Sequence, residues 1–559
     1  MKEKIAEILS KETKIPSEEI ITQIEIPPDD SMGDYSFPCF MLARTMKKAP
    51  KAIAEELAAK IKTSSEIEKI DSVNGYLNFH INKTWLISNI LKEILIKEQK
   101  FGVQNIGKNK IVLVEMSAPN IAKAFGIGHL RSTMIGNSIA KIHSALGFSV
   151  KKLNYLGDWG TQFGKLIYAY QKYGDEKKLK EHPIQHLQEL YVKINASMTE
   201  EIEQESRDIF KKLENGDKDL IKIWKQFKEL SLVEFDHVYD LLGVTFDDVQ
   251  AESDFNKKAE EVFSELEKKK LVVESQGAYI VDLEKYNLGV SIVKKMDGTT
   301  IYASRDLAAA ISRQEKYKFE KLIYEVGAEQ ELHFKQFFKI LELMGYTWSK
   351  NLEHASHGLY LGTDGKKLST RQGKSYKMID IWDSISEKIE KMVEQSSKLD
   401  KKEIDKRTMI ITRAAIVYGD LKNYRRRDLI FDSEKIVLME GETGPYMLYT
   451  YARANSILNK IKFKKKEKIV EEEPTKEEVK LVKTLSQYPD VLMKAYKDSD
   501  PSQIANYAFA VAKQFNSFYE NCTVVGDTKE EYRAQVIYAY KTVLGNALDL
   551  LGIQVLDEM

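Results

Sequence analysis

Residues 111–156 read IVLVEMSAPNIAKAFGIGHLRSTMIGNSIAKIHSALGFSVKKLNYL. Ile111 to Met116 is a short apolar run of the kind buried in a parallel sheet. A loop, SAPNIAKAFGIG, follows at 117–128. A helix is expected from near His129, because Ile135, Ile139, Ile142 and Leu146 recur at i, i+4, i+7 and i+11 on one face. Gly147 suits its C-terminal cap, and Ser149 to Leu156 reads as a second strand. GDWGTQFG at 157–164 leads into another helix, and Leu322 to Val326 resembles a further strand. Strand, helix and strand without a hairpin turn is the βαβ pattern, so the fold class is α/β with a parallel sheet.

On either side of this unit the chain changes character, and three regions follow. Residues 1–105 read as a small α/β region. Met1 to Ser10 and Ala49 to Ile61 are its expected helices, the second with Pro50 in its first turn. IPPDDSMGDYSFPCF (26–40) marks loop and turn. Asn74 to Ile81 alternates, Tyr76, Asn78 and His80 opposite Leu77, Phe79 and Ile81, as a strand opened by an Asn-Gly turn does. Residues 106–380 hold the α/β region, with a charged, mostly helical insertion at about 175–290. Residues 381–559 are helical in pattern, broken by a charge-rich loop from Asn459 to Lys480.

Composition narrows the function classes. The 559 residues are enough for three to four domains, at roughly 150 residues each. Lys+Arg and Asp+Glu are 85 each, so the net charge is zero and binding of nucleic acid through bulk positive charge is excluded. Cys39 and Cys522 are the only cysteines, which argues against a disulfide scaffold or a cysteine-based zinc site. No run approaches the ~18–20 apolar residues of a membrane span. The N-terminus MKEKIAEILSKETK lacks the features of a signal or transit peptide, so a cytoplasmic protein with no membrane partner is expected.

Gly126-Ile127-Gly128-His129-Leu130-Arg131 begins like a dinucleotide fingerprint, but Arg131 stands where the third Gly belongs. A large cation there is expected to disturb close helix–sheet packing, which disfavours hydride transfer. The P-loop candidates fail as well: Gly160 to Lys165 is one residue short, and Leu368 replaces the first Gly before Gly373-Lys374-Ser375. A Gly-x-Gly-His turn at a helix N-terminus remains. Its free N–H groups and positive dipole suit a phosphate, although an ordinary turn has the same composition. The second element, Gly365-Lys366-Lys367-Leu368-Ser369-Thr370-Arg371-Gln372-Gly373, is basic and hydroxyl-rich. It suits a loop closing on phosphates, or simply an exposed basic loop.

Taken together these elements resemble the HIGH-like and KMSKS-like signatures of class I aminoacyl-tRNA synthetases, and the flanks resemble arginyl-tRNA synthetases. The segments are VEMSAPNIAKAFGIGHLRST (114–133), LGDWGTQFG (156–164), DGTTIYASRDLA (297–308), VGAEQELHFKQFF (326–338), DGKKLSTRQG (364–373) and EGETGPYMLYTYAR (440–453), joined by GDYSFPCFMLAR (33–44) and ALDLLGI (547–553). The resemblance spans nearly the whole chain and is thinnest over 175–290 and 460–500.

The resemblance implies a Rossmann-type catalytic domain, an N-terminal domain holding the tRNA elbow and an all-α anticodon-binding domain. It places arginine on Glu115, Asn120, Tyr302, Asp306 and Gln330. This fits a guanidinium, a permanent cation with five donors. It places ATP, with magnesium and without zinc, over Gly126, Gly128 and His129, with Lys367, Ser369 and Arg371 near the phosphates. The first His of the usual HIGH signature is Gly126 here, and Thr370 replaces the second Lys of KMSKS. In the resembling proteins a Lys upstream of the turn compensates, and Lys123 occupies that place, so Lys123, His129 and Lys367 are the catalytic candidates. Activation is implied to need bound tRNA. Tyr76 and Asn78 would meet a D-loop base, while Arg425, Arg426, Arg427, Tyr446, Tyr449 and Arg453 offer cations and rings to the rest of tRNA(Arg). A monomer is expected. The rival readings are a non-catalytic relative that keeps tRNA or arginine binding, and a synthetase for another amino acid, against which Glu115 and Asp306 argue.

Overall fold

The computed structural model describes residues 1–559 except 28, 30, 31, 296–301, 363, 364, 366–376, 397, 398 and 467, and of residue 396 only the main chain. The chain packs as two units. One comprises Met1–Phe101, Ile457–Gln487 and Lys513–Val543; the other comprises Gly102–Ser456, Tyr488–Ala512 and Leu544–Met559.

In the first unit, strands β1 (Tyr35–Pro38), β2 (Ile67–Val73) and β3 (Tyr76–Ile81) form an antiparallel sheet in the order β1-β3-β2. Asn74 (φ 52°) and Gly75 (φ 86°) both take the left-handed conformation that a two-residue hairpin turn needs. Phe37, Leu77, Phe79 and Ile81 are buried with Ile5 and Leu9 of helix Lys2–Thr13 and with Ile53 and Leu57 of helix Pro50–Lys60.

The second unit contains, in chain order, β4 (Ile111–Glu115), β5 (Ser149–Leu156), β6 (Asp248–Ala251), β7 (Val273–Ser275), β8 (Ala278–Asp282), β9 (Val290–Lys295), β10 (Lys321–Tyr324), β11 (Leu352–His354), β12 (Tyr360–Leu361) and β13 (Leu429–Ile430). The order β11-β10-β4-β5-β6 makes a five-stranded parallel sheet. Its central strand β4 buries Val112, Leu113 and Val114, as expected where helices cover both faces. On one face Leu113, Leu153, Leu322 and Tyr324 pack with Leu307, Ile311, Phe334 and Phe337 from helices Tyr302–Tyr317 and Glu331–Leu343. Helix Ile127–Ala145 approaches Met116 at Gly136, where a Cβ would come within 2.4 Å of the Met116 Cβ.

Three findings differ from the expectations. The helix begins at Ile127, with Gly126 as its cap, rather than near His129. The stretch 175–290 is helical through helices Glu176–Glu181, Pro183–Ala196, Glu200–Glu214, Lys218–Leu242 and Asn256–Lys268, but not throughout. It also supplies β6, the edge strand of the main sheet, before the last of these helices, and opens the antiparallel sheet β7-β8-β9 after it. Arg131 does not disturb the packing. Its buried guanidinium donates to the carbonyls of Gly358 (2.9 Å), Arg427 (2.8 Å) and Arg425 (3.1 Å), and the close approach to the sheet is made one turn later, by Gly136. No helix among the described residues is long and apolar enough to cross a membrane.

Candidate active site

Parallel strands end with their side chains and the following loops turned to one edge, where open α/β sheets take their ligands. At that edge lies a cavity of about 410 Å³, and Glu115, Asn120, Tyr302, Asp306 and Gln330 all line it. Glu115 ends β4, and Asn120 sits in the next loop. Tyr302 and Asp306 lie on the first turns of one helix, and Gln330 follows β10.

The charges are unevenly matched. The buried Glu115 carboxylate accepts from Arg313 Nη1, and Arg313 Nε donates to Gln250 Oε1 at 2.9 Å. Burial raises the Glu115 pKa, Arg313 opposes the rise and Asp306 adds to it. Asp306 Oδ2 instead accepts from His333 Nε2 at 2.7 Å. Burial alone would lower His333, but the hydrogen bond and charge of Asp306 outweigh it and hold the imidazole above its ordinary pKa. Glu252 also lines the cavity. Burial pushes it up to about 8, Arg305 opposing and Asp306 and Asp158 adding to the rise. Among the described residues Asp306 is therefore the cavity carboxylate that pairs with no guanidinium.

Glu252, Arg313, His333 and Tyr155 were not among the expected residues. Tyr302, Asp306, Ala309 and Arg313 follow the i, i+4, i+7, i+11 spacing of one helix face, so Arg313 was open to detection. His333 lies within the resembling segment 326–338, whereas Glu252 follows a strand with no clear sequence signal.

Asn120 is held by a two-way bridge in which Ile121 N–H donates to Gly157 O and Gly157 N–H donates to Pro119 O, both at 3.1 Å. A Cβ at Gly157 would lie 2.2 Å from Asn120 Oδ1. Gly157→Ala should therefore expel the Asn120 amide and raise the arginine KM about tenfold, the scale of an overpacking cost of ~1–3 kcal/mol. Steady-state kinetics beside a thermal melt would check this.

The loop between β4 and its helix is strained: Ser117 (φ 74°), Ala118 (φ 47°) and Ala122 (φ 60°) are left-handed without being glycine. Hydrogen bonds lock it there. Ser117 N–H donates to Ser132 Oγ (2.9 Å), Ala122 N–H donates to Ser231 Oγ (2.8 Å), and the Ser117 and Tyr239 hydroxyls pair at 2.8 Å. Gly126 is extended (φ −95°), and a Cβ on the exposed Gly128 would meet nothing within 4 Å. His129 Nδ1 accepts the Gly126 N–H at 3.3 Å, which leaves the proton on Nε2. Burial, with Lys123 and His357 nearby, lowers His129 to about 4, so it is a neutral single donor at pH 7. Lys123 Nζ donates to Gln162 Oε1 at 3.3 Å and has no carboxylate partner among the described residues. Lys367, Ser369 and Arg371 lie outside the described residues.

In the first unit Tyr76 is partly exposed and meets the exposed Phe40 edge to face. Asn78 differs: it is 2% exposed, accepts from Ser36 Oγ at 2.8 Å and donates to Asp71 Oδ1 at 3.2 Å. Its amide is engaged within the sheet, and Tyr76 with Phe40 is the ring surface that reaches solvent. In the second unit Arg425 is buried and donates to Ser499 O at 2.9 Å, which makes it structural; Arg426 and Arg427 are exposed. Arg453 lies over the Tyr449 ring at 4.5 Å.

Comparison with known proteins accords with this arrangement. Residues 90–433 match the family of tRNA synthetases class I (R), catalytic domain. Residues 447–559 match the DALR anticodon binding domain, and residues 1–81 match the arginyl tRNA synthetase N terminal domain. The arginine--tRNA ligase of Halothermothrix orenii is 42% identical, over 100% of this chain and 99% of the relative. That of Clostridium perfringens is 43% identical over 100% of both. Among solved structures, arginyl-tRNA synthetase from Plasmodium falciparum superposes with a TM-score of 0.79 at 25% identity, covering 100% of this chain and 98% of that one. The Thermus thermophilus arginyl-tRNA synthetase shares the fold, with a TM-score of 0.79 at 23% identity over 96% of each chain. From end to end, the chain belongs to the arginyl-tRNA synthetase family of class I aminoacyl-tRNA synthetases.

Proposed function

We infer that the chain is an arginine–tRNA ligase, which activates L-arginine with ATP and transfers it to tRNA(Arg). The observation that carries this reading is the gathering of Glu115, Asn120, Tyr302, Asp306 and Gln330 around one cavity, with Glu115 and Asn120 on the same strand–loop–helix unit as the Gly126–His129 turn. In the first step the arginine carboxylate attacks the α-phosphate of ATP in line, forming arginyl-adenylate and releasing pyrophosphate. In the second, the 2′-OH of the tRNA 3′-terminal adenosine attacks the adenylate carbonyl and AMP leaves. Phosphoryl transfer needs positioning and charge stabilisation rather than a protein nucleophile.

Asp306 anchors the guanidinium, with Glu115 as a second acceptor and Tyr302 and Gln330 completing the polar wall. Asn120 orients the main-chain end of the amino acid. The triphosphate lies over Gly128, whose missing side chain leaves room for it, and receives the His129 Nε2–H and the Lys123 ammonium. Magnesium, as the counter-ion of the nucleotide, would offset charge on the triphosphate beside Lys123 and His129. Tyr76, supported by Phe40 and on the strand that also carries Asn78, meets a base at the tRNA elbow, and the C-terminal helices take the anticodon. The protein acts in the cytoplasm as a monomer.

Charging of total tRNA with each of the twenty labelled amino acids tests the whole reading; arginine alone should be attached. Binding of tRNA without arginylation, with ATP and magnesium present, would favour a non-catalytic relative. ATP–pyrophosphate exchange should be negligible without tRNA and appear on its addition. Lys123→Ala should then slow exchange by roughly two orders of magnitude, as losing one preorganised donor costs about 3 kcal/mol. Normal exchange in that variant would remove Lys123 from the activation step.

A further inference from the structure

A groove of about 680 Å³ runs between helix Glu176–Glu181 and the first half of helix Lys218–Leu242, lined by Lys180, Lys218, Lys222 and Lys225 together with Glu176 and Glu229. We propose that this groove holds the phosphodiester backbone of the RNA strand that leads into the active site. The proposal rests on the tRNA ligase reading and adds to it a contact surface with named residues.

Four ammonium groups against two carboxylates give the groove a net charge of +2, in a chain whose total is zero. Among the described residues none of the four lysines pairs with a carboxylate, Glu176 and Glu229 included. Lys228, one turn further on, shows what a structural lysine does here: it pairs with Asp158 at 2.7 Å. The stripe is also unfavourable for the helix itself. Lys218, Lys222 and Lys225 are like charges at i, i+4 and i+7, which repel. Lys218 and Lys222 lie in the first turns, at the positive end of the helix dipole, where acids are preferred. Cations kept at such positions and left unpaired await an anion from outside.

The groove's other features select the class of anion. Its lining has no aromatic side chain, so it offers charge to a backbone and no stacking platform to a base. Lys218, Lys222 and Lys225 extend over roughly 10 Å of helix, at 1.5 Å per residue, which suits an extended polyanion better than a single phosphate. The same helix then reaches the active-site loop. Ser231 Oγ accepts from Ala122 N–H at 2.8 Å, Glu234 Oε1 from Phe125 N–H at 3.4 Å, and Tyr239 OH pairs with Ser117 Oγ at 2.8 Å. Lys225 precedes Ser231 by about 9 Å of helix and Lys218 by about 20 Å. An RNA strand on the groove is thus carried toward the loop where its 3′ end must react.

The test uses the full-length protein with Lys180→Gln, Lys222→Gln and Lys225→Gln combined, beside a triple Lys→Arg control. The tRNA KM in arginylation and the Kd for a tRNA(Arg) transcript are measured across a potassium chloride series. The Gln variant should raise both about tenfold or more at low salt. It should flatten the dependence of log K on log salt by about 2–3, since each phosphate that a lysine ceases to neutralise removes roughly 0.7–0.9 from the slope. The arginine and ATP KM values should stay as in the wild type, and the Arg control should keep tRNA affinity. An unchanged tRNA Kd and salt slope would overturn the proposal. So would loss of inorganic tripolyphosphate binding, or of an acidic protein partner, with tRNA binding intact, since the groove would then serve those anions. Wild-type protein that binds tRNA through the groove yet charges no arginine would count against the ligase reading alone.

Discussion

Replacing Asp306 by alanine is expected to raise the arginine KM by about two to three orders of magnitude. Among the described residues, Asp306 is the cavity carboxylate with no guanidinium partner; it accepts from His333 at 2.7 Å. Removing one member of a desolvated charge pair costs ~3–5 kcal/mol, mainly because the other charge is left without its partner, and each ~1.4 kcal/mol is tenfold in affinity. Glu115 cannot replace it, since Arg313 already holds that carboxylate. The variant should also release His333: without the hydrogen bond and charge of Asp306, burial is left to draw its pKa down. Arginine titration by calorimetry, with the His333 ring followed by NMR across pH, checks both effects. An unchanged arginine affinity would exclude Asp306 from the pocket.

The second large effect separates His129 from Gly126. His129→Ala removes a neutral Nε2–H donor that the structure orients through the Gly126 N–H, and kcat should fall by about 10²–10³, the usual loss for one preorganised donor. Gly126→Ala should change kcat less than threefold. Gly126 is extended at φ −95°, a conformation any residue adopts, so glycine is not required there for backbone reasons. Because burial holds His129 near pH 4, the activation rate should show no limb from this group between pH 6 and 8. If Gly126→Ala proved as damaging as His129→Ala, the turn would depend on more than its donor set.

The sequence made the central βαβ unit legible because its signals are local. The apolar run at 111–116 and the helical spacing of Ile135, Ile139, Ile142 and Leu146 need no knowledge of the rest of the chain. The five pocket residues were legible only through resemblance, since no local rule brings Glu115 near Asp306. The Glu115–Arg313 pair spans 198 residues and could not be read in advance. β6 escaped because Asp-Val-Gln-Ala is a four-residue edge strand with partial burial and no apolar run. The rule for glycine at its position misjudges Arg131. That rule concerns approach to the sheet, and here Gly136 makes the approach while Arg131 points toward carbonyls more than 200 residues away. Asn78 shares a strand face with Tyr76 and His80, but alternation does not reveal that Ser36 and Asp71 enclose it.

The carbonyls that hold Arg131 set an order on the birth of the enzyme. The guanidinium belongs to the helix that begins at the Gly126–His129 turn, yet its acceptors include Arg427 O, 296 residues later. At ~5–20 residues per second the ribosome needs roughly 15–60 s to supply them. By residue 354 the nascent chain carries the turn, the loop and all five strands of the parallel sheet, while the cation destined for the interior still lacks its acceptors. The helix that carries His129 is therefore completed in its packing late in translation, when the segment that leads into the C-terminal helices emerges. A polypeptide cut short before that point lacks two of the three carbonyls, so seating the helix would bury the Arg131 guanidinium with most of its partners missing.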